Sequence, residues 1–389
     1  MKKNKGWDIQ RLSDLGEIVT GNTPSKKQSH YYGGDIPWAK PSDLNRFEDI
    51  LSTEEYLSSE GAKHARILPP QSVLVSCIGN LGKVGVAGRP MATNQQINAV
   101  IFNEKIYPRY GYYACRRLQR ILEHYAPATT LPIVTKSRFS ELKIPVPPFF
   151  LQQKIASILF TVQSALEKRR QTLRLADDFL KSAFLEMFGE PGANSKRFDR
   201  KSIKKLVKDI RNEDPRQFPD KQYSYVDISS VDNQLKEITE IKSILGADAP
   251  SRARQLLQAQ DILVSTVRPN LNAVANLSKG LNNSIGSTGF CVLRADKELV
   301  QPEYLFAICK TVFFIKSLVN IAKGASYPAV SNNDILRLLI PVPSVADQQK
   351  FADLVQKVER LKEKQKQSEI QLTNLFSSLM QRAFKEELV

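Results

Sequence analysis

Cysteine, histidine and tryptophan are scarce in this chain of 389 residues, at four, three and two copies. Each shortage excludes something. Cys77, Cys115, Cys291 and Cys309 show no ligand-like spacing. A disulfide framework and a zinc site are therefore not expected, and reduced thiols in a cytoplasm are the simplest account. His30, His64 and His124 all lie in the first half, so no histidine metal site can be common to both halves. No stretch approaches the roughly 18 apolar residues of a membrane span. The basic start Met1-Lys2-Lys3-Asn4-Lys5 runs into Gly6-Trp7-Asp8, not into an apolar segment, so no secretory signal is expected.

Positive charge, by contrast, is abundant. Lysine and arginine number 56 against 40 acidic residues, a net charge of +16. A surplus of this size points to a polyanionic partner, most often nucleic acid. At 42% apolar residues the chain can still fill ordinary cores, and its length suits two or three domains.

The chain also repeats itself. Residues 144–190 align without a gap on 340–386, an offset of 196, with 15 of 47 positions identical. Unrelated segments would share only about three, so the repeat dictates the architecture. Ile144-Pro145-Val146-Pro147 returns as Ile340-Pro341-Val342-Pro343, and Gln152-Gln153-Lys154 as Gln348-Gln349-Lys350. Upstream of each repeat the pattern is β-rich. Ser72–Ile78 reads as a strand, with Gly79, Gly82, Gly85 and Gly88 as turns, and a helical stretch follows near Gly111–Tyr125. Asp261–Ser265 echoes Ser72–Ser76, and Tyr327-Pro328-Ala329-Val330 echoes Leu131-Pro132-Ile133-Val134.

Each repeat carries one long helix. The first is expected over 147–189, opened by Pro147-Pro148 and stopped by Gly189 and Pro191; the second covers 343–389. Apolar spacing alternates three and four, which is a coiled-coil seam. In the first helix it reads Ile155, Ile158, Val162, Ala165, Arg169, Thr172, Ala176, Phe179, Ala183. In the second it reads Phe351, Leu354, Val358, Leu361, Gln365, Ser368, Leu372, Leu375, Leu379. Both seams turn polar at mid-helix, so an antiparallel pair would set Arg169 and Thr172 near Gln365 and Ser368. A shifted register would bury Arg169 against leucines at high cost. Some 40 residues at a rise of about 1.5 Å imply a helix of about 60 Å.

Catalytic signals are weak. Val146-Pro147-Pro148-Phe149 approaches the Asp/Asn-Pro-Pro-Tyr/Phe loop of adenine methyltransferases, but valine replaces the polar residue that binds the adenine. Pro219-Asp220 followed by Glu240-Ile241-Lys242 fits a loose nuclease pattern, in which Asp220 and Glu240 would hold magnesium. The Gly79–Gly88 run is neither a Walker loop nor a dinucleotide fingerprint. The reading is a binding protein with no catalytic residue, no metal and no cofactor. The alternatives are a magnesium-dependent nuclease using Asp220, Glu240 and Lys242, and a coiled-coil adaptor that does not bind DNA.

Several of these stretches together resemble the specificity subunit of type I restriction-modification systems. They are Gly16–Lys26, Tyr32-Gly33-Gly34-Asp35-Ile36-Pro37-Trp38, Gly79–Gly85, Asn94-Gln95-Gln96, and the Ile-Pro-Val-Pro and Gln-Gln-Lys runs before each long helix. The second half departs from the pattern, because Asn212-Glu213-Asp214-Pro215-Arg216 replaces the Thr-Gly-x-Thr-Pro run. The resemblance implies an α+β fold with two globular, β-rich target-recognition domains, 1–146 and 190–342. Two long antiparallel coiled-coil helices, 147–189 and 343–389, separate them in a pseudo-two-fold repeat. It also implies a bipartite double-stranded DNA target, two methyltransferase (M) subunits docked on the helices, and restriction (R) subunits joined through the complex. No membrane is involved, and the place of action is the cytoplasm.

Residue type and loop position then select the candidate DNA contacts. In the first domain they are Thr23, Lys26, Lys27, Lys40, Ser42, Asn45, Arg46 and Lys136. In the second they are Arg216, Tyr223, Ser229, Ser230, Arg268, Asn270, Lys323, Ser326 and Tyr327. Lys and Arg suit phosphates and guanine edges, while Asn and Ser reach base edges.

Overall fold

Strand Val73–Ser76 is buried along its whole length, which sets the plan of the first half. Side chains alternate across a strand, so such a strand needs a core on each face. Val73 and Val75 point into one cluster, with Tyr110, Phe139, Ile155 and Leu159. Leu74 points into another, with Ala39, Leu44, Ile50 and Met91. The strand sits in an antiparallel sheet of order Gly16–Thr20, Ile97–Phe102, Val73–Ser76, Val84–Val86. The computed structural model describes residues 6–45, 47–125, 131–277, 282–324 and 327–385.

The second half builds the same sheet. Its order is Val207–Lys208, Phe290–Ala295, Ile262–Ser265, Val274–Asn276. Ile262 and Val264 face one cluster and Leu263 the other. Further sheets complete each half: three strands, Tyr56–Leu57, Tyr32–Ala39 and Ala92–Thr93, in the first, and a second four-stranded sheet around Gln222–Val226 in the second. A short antiparallel ribbon closes each. Asp8–Arg11 pairs with Lys143–Val146, and Arg200–Ser202 with Leu339–Pro341. Each domain therefore begins and ends at one place, at the foot of its long helix.

The chain forms two compact units, residues 1–172 with 365–389, and residues 173–364. Each contains one β-rich domain and part of both long helices, Phe149–Phe188 and Val345–Ala383. In the first unit, Ile155, Ala156 and Leu159 share a core with Phe376, Leu379, Met380 and Ala383. In the second, Phe184 and Phe188 pack on Phe351, with ring centroids 5.6 Å apart in each pair. The start of one helix thus meets the end of the other in both units, which is antiparallel pairing. Gly189, with φ +74, ends the first long helix. At the start of the second, Ser344 Oγ accepts from the Asp347 amide at 3.2 Å, a side-chain cap.

One local expectation is corrected and another is refined. Gly85 lies inside strand Val84–Val86; a Cβ there would come within 2.6 Å of Ile50, so tight packing and not a turn explains the glycine. The helical stretch near Gly111–Tyr125 is two helices, Pro108–Arg117 and Gln119–Tyr125. The bent pair Pro302–Cys309 and Val312–Ile321 is apolar, but its Tyr304, Ile308, Cys309 and Phe314 fill the core of the second unit. Among the described residues no single helix is long and apolar enough to cross a membrane.

The helix seam is also corrected. Ile155, Phe351 and Val358 are buried, and Ile158, Val162, Leu354 and Leu372 are half-buried. Phe179, Leu361 and Leu375 are 51%, 58% and 45% exposed and do not pair. The buried stripe runs through Gln152, Ile155, Ala156, Leu159, Gln163, Leu166, Leu180, Phe184 and Phe188. Two stripes with three–four spacing, one position apart, coexist in this helix. The one that packs on a β-rich domain as well as on the other helix buries more apolar surface, so it wins.

Candidate nucleic-acid interface

Beyond each central strand the chain turns through a left-handed residue and forms the wall of a cleft. In the first unit Val73–Ser76 continues into Cys77, Ile78 and Gly79, with φ +75 at Gly79. The Val134 amide donates to the Cys77 carbonyl at 2.8 Å, and the Gly79 amide to the Pro132 carbonyl at 2.9 Å. The cleft they border has a volume of about 550 Å³ and includes Lys40, Ser42, Gly79, Asn80, Gln96 and Leu131.

The second unit repeats the arrangement. Ile262–Ser265 continues into Thr266, Val267 and Arg268, with φ +49 at Arg268. The Val330 amide donates to the Thr266 carbonyl at 2.9 Å, and the Arg268 amide to the Pro328 carbonyl at 2.7 Å. This cleft, of about 530 Å³, includes Arg268, Asn270, Leu271, Val319, Gly324 and Pro328. The sequence echo between 131–134 and 327–330 is therefore a structural equivalence.

The clefts gather some of the candidate contacts and leave others apart. Lys40 and Ser42 line the first, although Lys40 is held by Glu55 and Ser42 Oγ lies 3.3 Å from Glu54. Thr23 bonds to Gln95, and Asn45, with φ +64, accepts from the Val84 amide at 3.1 Å. Lys26 and Lys27 are exposed in the loop after Thr23, and Lys136 is exposed at the start of helix Lys136–Ser140. Arg268 and Asn270 line the second cleft, with exposed Tyr327 under the Arg268 guanidinium. Lys323 is exposed, its main chain bonded both ways to Ala329 at 2.9 Å. Arg46 and Ser326 lie outside the described residues.

Two candidates, Tyr223 and Ser230, are corrected, while Arg216 stays exposed. Tyr223 is buried and donates to Glu213 at 2.5 Å, so its ring cannot reach a base. Ser230 is buried in a capping box with Asp227. Arg216 makes two bonds to Asp214, at 3.0 and 2.8 Å, and the pairing pulls the Asp214 carboxyl down to about 2. Ser229 remains exposed, with its hydroxyl on Asp227 at 2.5 Å.

The proposed nuclease constellation finds no support. Lys242 is bound to Asp227 at 2.7 Å, and both Asp220 and Glu240 are exposed. Among the described residues no group of three His, Cys, Asp or Glu side chains could hold a metal ion.

Gln152 and Gln348 were not among the candidates, yet they have matching structural roles. Both are fully buried. Gln152 accepts from the Tyr107 amide at 2.8 Å and donates to the carbonyls of Lys105 and Pro147. Gln348 accepts from the Gln301 amide at 2.8 Å and donates to the carbonyls of Leu299 and Pro343. Nearby, Tyr110 and Tyr304 hydroxyls donate to Pro145 and Pro341, both at 2.7 Å. Each long helix is thereby fixed to its own domain by the same polar joint. The signal was in the sequence: Gln152 lies three and four residues before Ile155 and Ala156, on the buried face.

Comparison with known proteins agrees with this architecture. A family model described as the type I restriction modification DNA specificity domain matches residues 4–174 and again 216–372. The MjaIX specificity subunit of Methanocaldococcus jannaschii is 25% identical over 391 aligned positions, covering 93% of this chain and 89% of that protein. The HindI specificity subunit of Haemophilus influenzae is 33% identical over 178, covering 43% of this chain and 39% of that one. The crystal structure of the S subunit of a type I system from M. genitalium shares the fold, with a TM-score of 0.62 at 14% identity, covering 99% and 98% of the two chains. With two matched copies of that domain on two copies of one fold, the chain belongs to the family of type I restriction-modification specificity subunits, the non-catalytic, sequence-specific DNA-binding components of those systems.

Proposed function

We propose that each β-rich domain reads one half of a bipartite double-stranded DNA target through its cleft, and that the long helices carry the methyltransferase subunits. One observation carries this reading. The same left-handed turn, the same pair of backbone bonds and a cleft of similar size recur in both units. A single module reads too few base pairs for genomic selectivity, and linkage of two multiplies it. The recognition segments are 1–146 and 190–342, and the helical segments are 147–189 and 343–389. The contacts assigned to DNA are Thr23, Lys26, Lys27, Lys40, Ser42, Asn45 and Lys136 in the first domain. In the second they are Arg216, Ser229, Arg268, Asn270, Lys323 and Tyr327.

Two M subunits, one for each repeat, would use the apolar side chains that the helix pair leaves in solvent. Phe150 and Ile370 in the first unit and Leu175, Phe179 and Leu361 in the second are all exposed there, and burying such apolar side chains would stabilise a docked subunit. R subunits would join through that complex. Four buried, unpaired cysteines suit the reducing cytoplasm.

The test is exchange of residues 7–146 for the corresponding domain of another specificity subunit, followed by mapping of methylated adenines. One half-site should change and the other persist; coordinated change in both overturns the two-module reading. DNA titration of the assembled complex should show a slope of log K against log salt of roughly −5 or steeper, at about −0.9 per neutralised phosphate.

A further inference from the structure

The two clefts differ most at the residue that turns the chain. Gly79 occupies the left-handed position in the first unit, where an added Cβ would meet nothing nearer than Leu131 Cδ1 at 3.8 Å. The second unit places Arg268 there, at φ 49 and ψ 60. Side chains other than glycine, asparagine and aspartate adopt this backbone at a cost. Such strain persists only where the surroundings over-determine it, and it concentrates at functional sites.

The surroundings do so here. The Arg268 amide is tied to Pro328, its carbonyl accepts from Leu271 at 2.9 Å, and the Asn272 amide donates to Pro269 at 3.0 Å. Lys236 Nζ then holds the Asn272 carbonyl at 2.6 Å. The guanidinium lies 4.7 Å above the ring of Tyr327, which is 68% exposed. Among the described residues it has no carboxylate or carbonyl partner. Other arginines of this unit are neutralised: Arg216 and Arg254 on Asp214, Arg294 on Asp261. Arg268 is a cation presented to solvent over an aromatic ring, at the wall of a cleft.

The geometry bears on what it would bind. The ring contact leaves the guanidinium N–H donors without an acceptor among the described residues. The planar fork of a guanidinium matches the O6 and N7 acceptors of guanine in the major groove. A phosphate contact would survive replacement of the fork by the point charge of lysine, whereas a bidentate guanine contact would not. We propose that Arg268, oriented by Tyr327, is a specificity-determining residue that reads one guanine of the second half-site. Gly79 leaves the first half-site without this contact. The assignment rests on the DNA-reading function proposed above.

The test uses the full chain with its methyltransferase subunits in cells lacking other adenine methylation. Methylated motifs are mapped for the wild type, R268G, R268K and Y327A. Glycine accepts the left-handed backbone, so R268G keeps the fold, and a thermal melt verifies this. The first half-site should stay intact while one G·C pair of the second becomes degenerate in both arginine variants. Discrimination at that pair, measured on duplexes, should fall roughly 10- to 100-fold, with a smaller loss in Y327A. An unchanged bipartite motif in R268G overturns this assignment alone. Uniform weakening in R268G with full recovery in R268K also overturns it, since that is a phosphate contact. A wild-type motif without a second half-site overturns both this assignment and the function beneath it.

Discussion

Arg169 donates a hydrogen bond to Gln365, and the two residues occupy the same position in the two copies of the repeat, 196 residues apart. Repeat-equivalent positions meet only where two antiparallel helices cross at their common midpoint. Arg170 adds a bond to Glu369 at 2.9 Å one step further. The pair is a junction where one arginine faces a neutral acceptor. Q365R would set two guanidinium groups face to face, in surroundings where Arg169 Nε already has no partner. The expected destabilisation is about 1–3 kcal/mol, from a lost acceptor and like-charge contact. The double variant R169Q/Q365R should recover most of it, because it restores the pair in reverse. Urea titration of both variants beside the unaltered chain checks this, and equal destabilisation in the single and the double variant would show that the bond carries no weight.

Removing the buried joint at the base of a long helix should also cost stability. Q152A leaves the Tyr107 amide and the carbonyls of Lys105 and Pro147 without their partner. Loss at a fully buried site is worth about 2 kcal/mol. For a unit of this size that lowers Tm by roughly 4–8 °C. Q348A should behave alike, since its bonds are the same. Calorimetry of both variants tests this, and a change below 1 °C in either would count against the joint.

Much of this architecture was legible in the sequence, for physical reasons that also mark the limits. The gapless offset of 196 placed Arg169 opposite Gln365 because antiparallel equivalent helices can meet in only one register without burying a charge on leucine. Strand Val73–Ser76 was visible because a short apolar run between turn signals has few other uses. The phase of the seam was not legible. Leu159, Leu166 and Leu180 form one three–four stripe and Val162 and Phe179 belong to another, and only the packed domain decides between them. Tyr223 misled for a related reason. Its partner, Glu213, sits in the same polar stretch, and nothing local says that the tyrosine turns inward to it. The clefts themselves join residues far apart in the chain, such as Gly79 and Pro132, so only the echo between the halves hinted at them.

The four cysteines should be inert in the folded chain. Burial pushes the Cys77 thiol up to about 11 and those of Cys115 and Cys291 to about 12, and it raises Cys309 as well. At pH 8 the thiolate, the reactive form, then amounts to about 0.1% or less. The folded state holds the thiol protons more tightly than the unfolded one. Its stability is therefore undiminished below about pH 8.5 and declines as pH rises toward the raised values. A colorimetric thiol assay should find well under one reactive group in the native protein and four in denaturant. Rapid modification of the native chain would contradict the burial.

A half-length chain, residues 1–190, should form a two-fold dimer. It keeps the first domain and the first long helix, whose Leu159, Leu166, Leu180 and Phe184 lose their cover when the second helix is absent. Exposed seams of this kind seek a partner. A second copy offers the same stripe in the same phase, and antiparallel pairing about the midpoint would put Arg169 opposite Arg169. The neutral acceptor of Gln365 is then missing, so this dimer is weaker than the pairing in the intact chain, and the methyltransferase subunit should tighten it. The R169Q fragment should dimerise more strongly than the unaltered one, since two glutamines can bond to each other. An isologous dimer presents two identical domains related by a two-fold axis, so its DNA target becomes an interrupted palindrome of the first half-site. Sedimentation of both fragments, with and without the methyltransferase subunit, measures the pairing, and methylated-adenine mapping measures the target. A monomer under all four conditions, or methylation at the original asymmetric site, would show that the seam alone does not direct assembly.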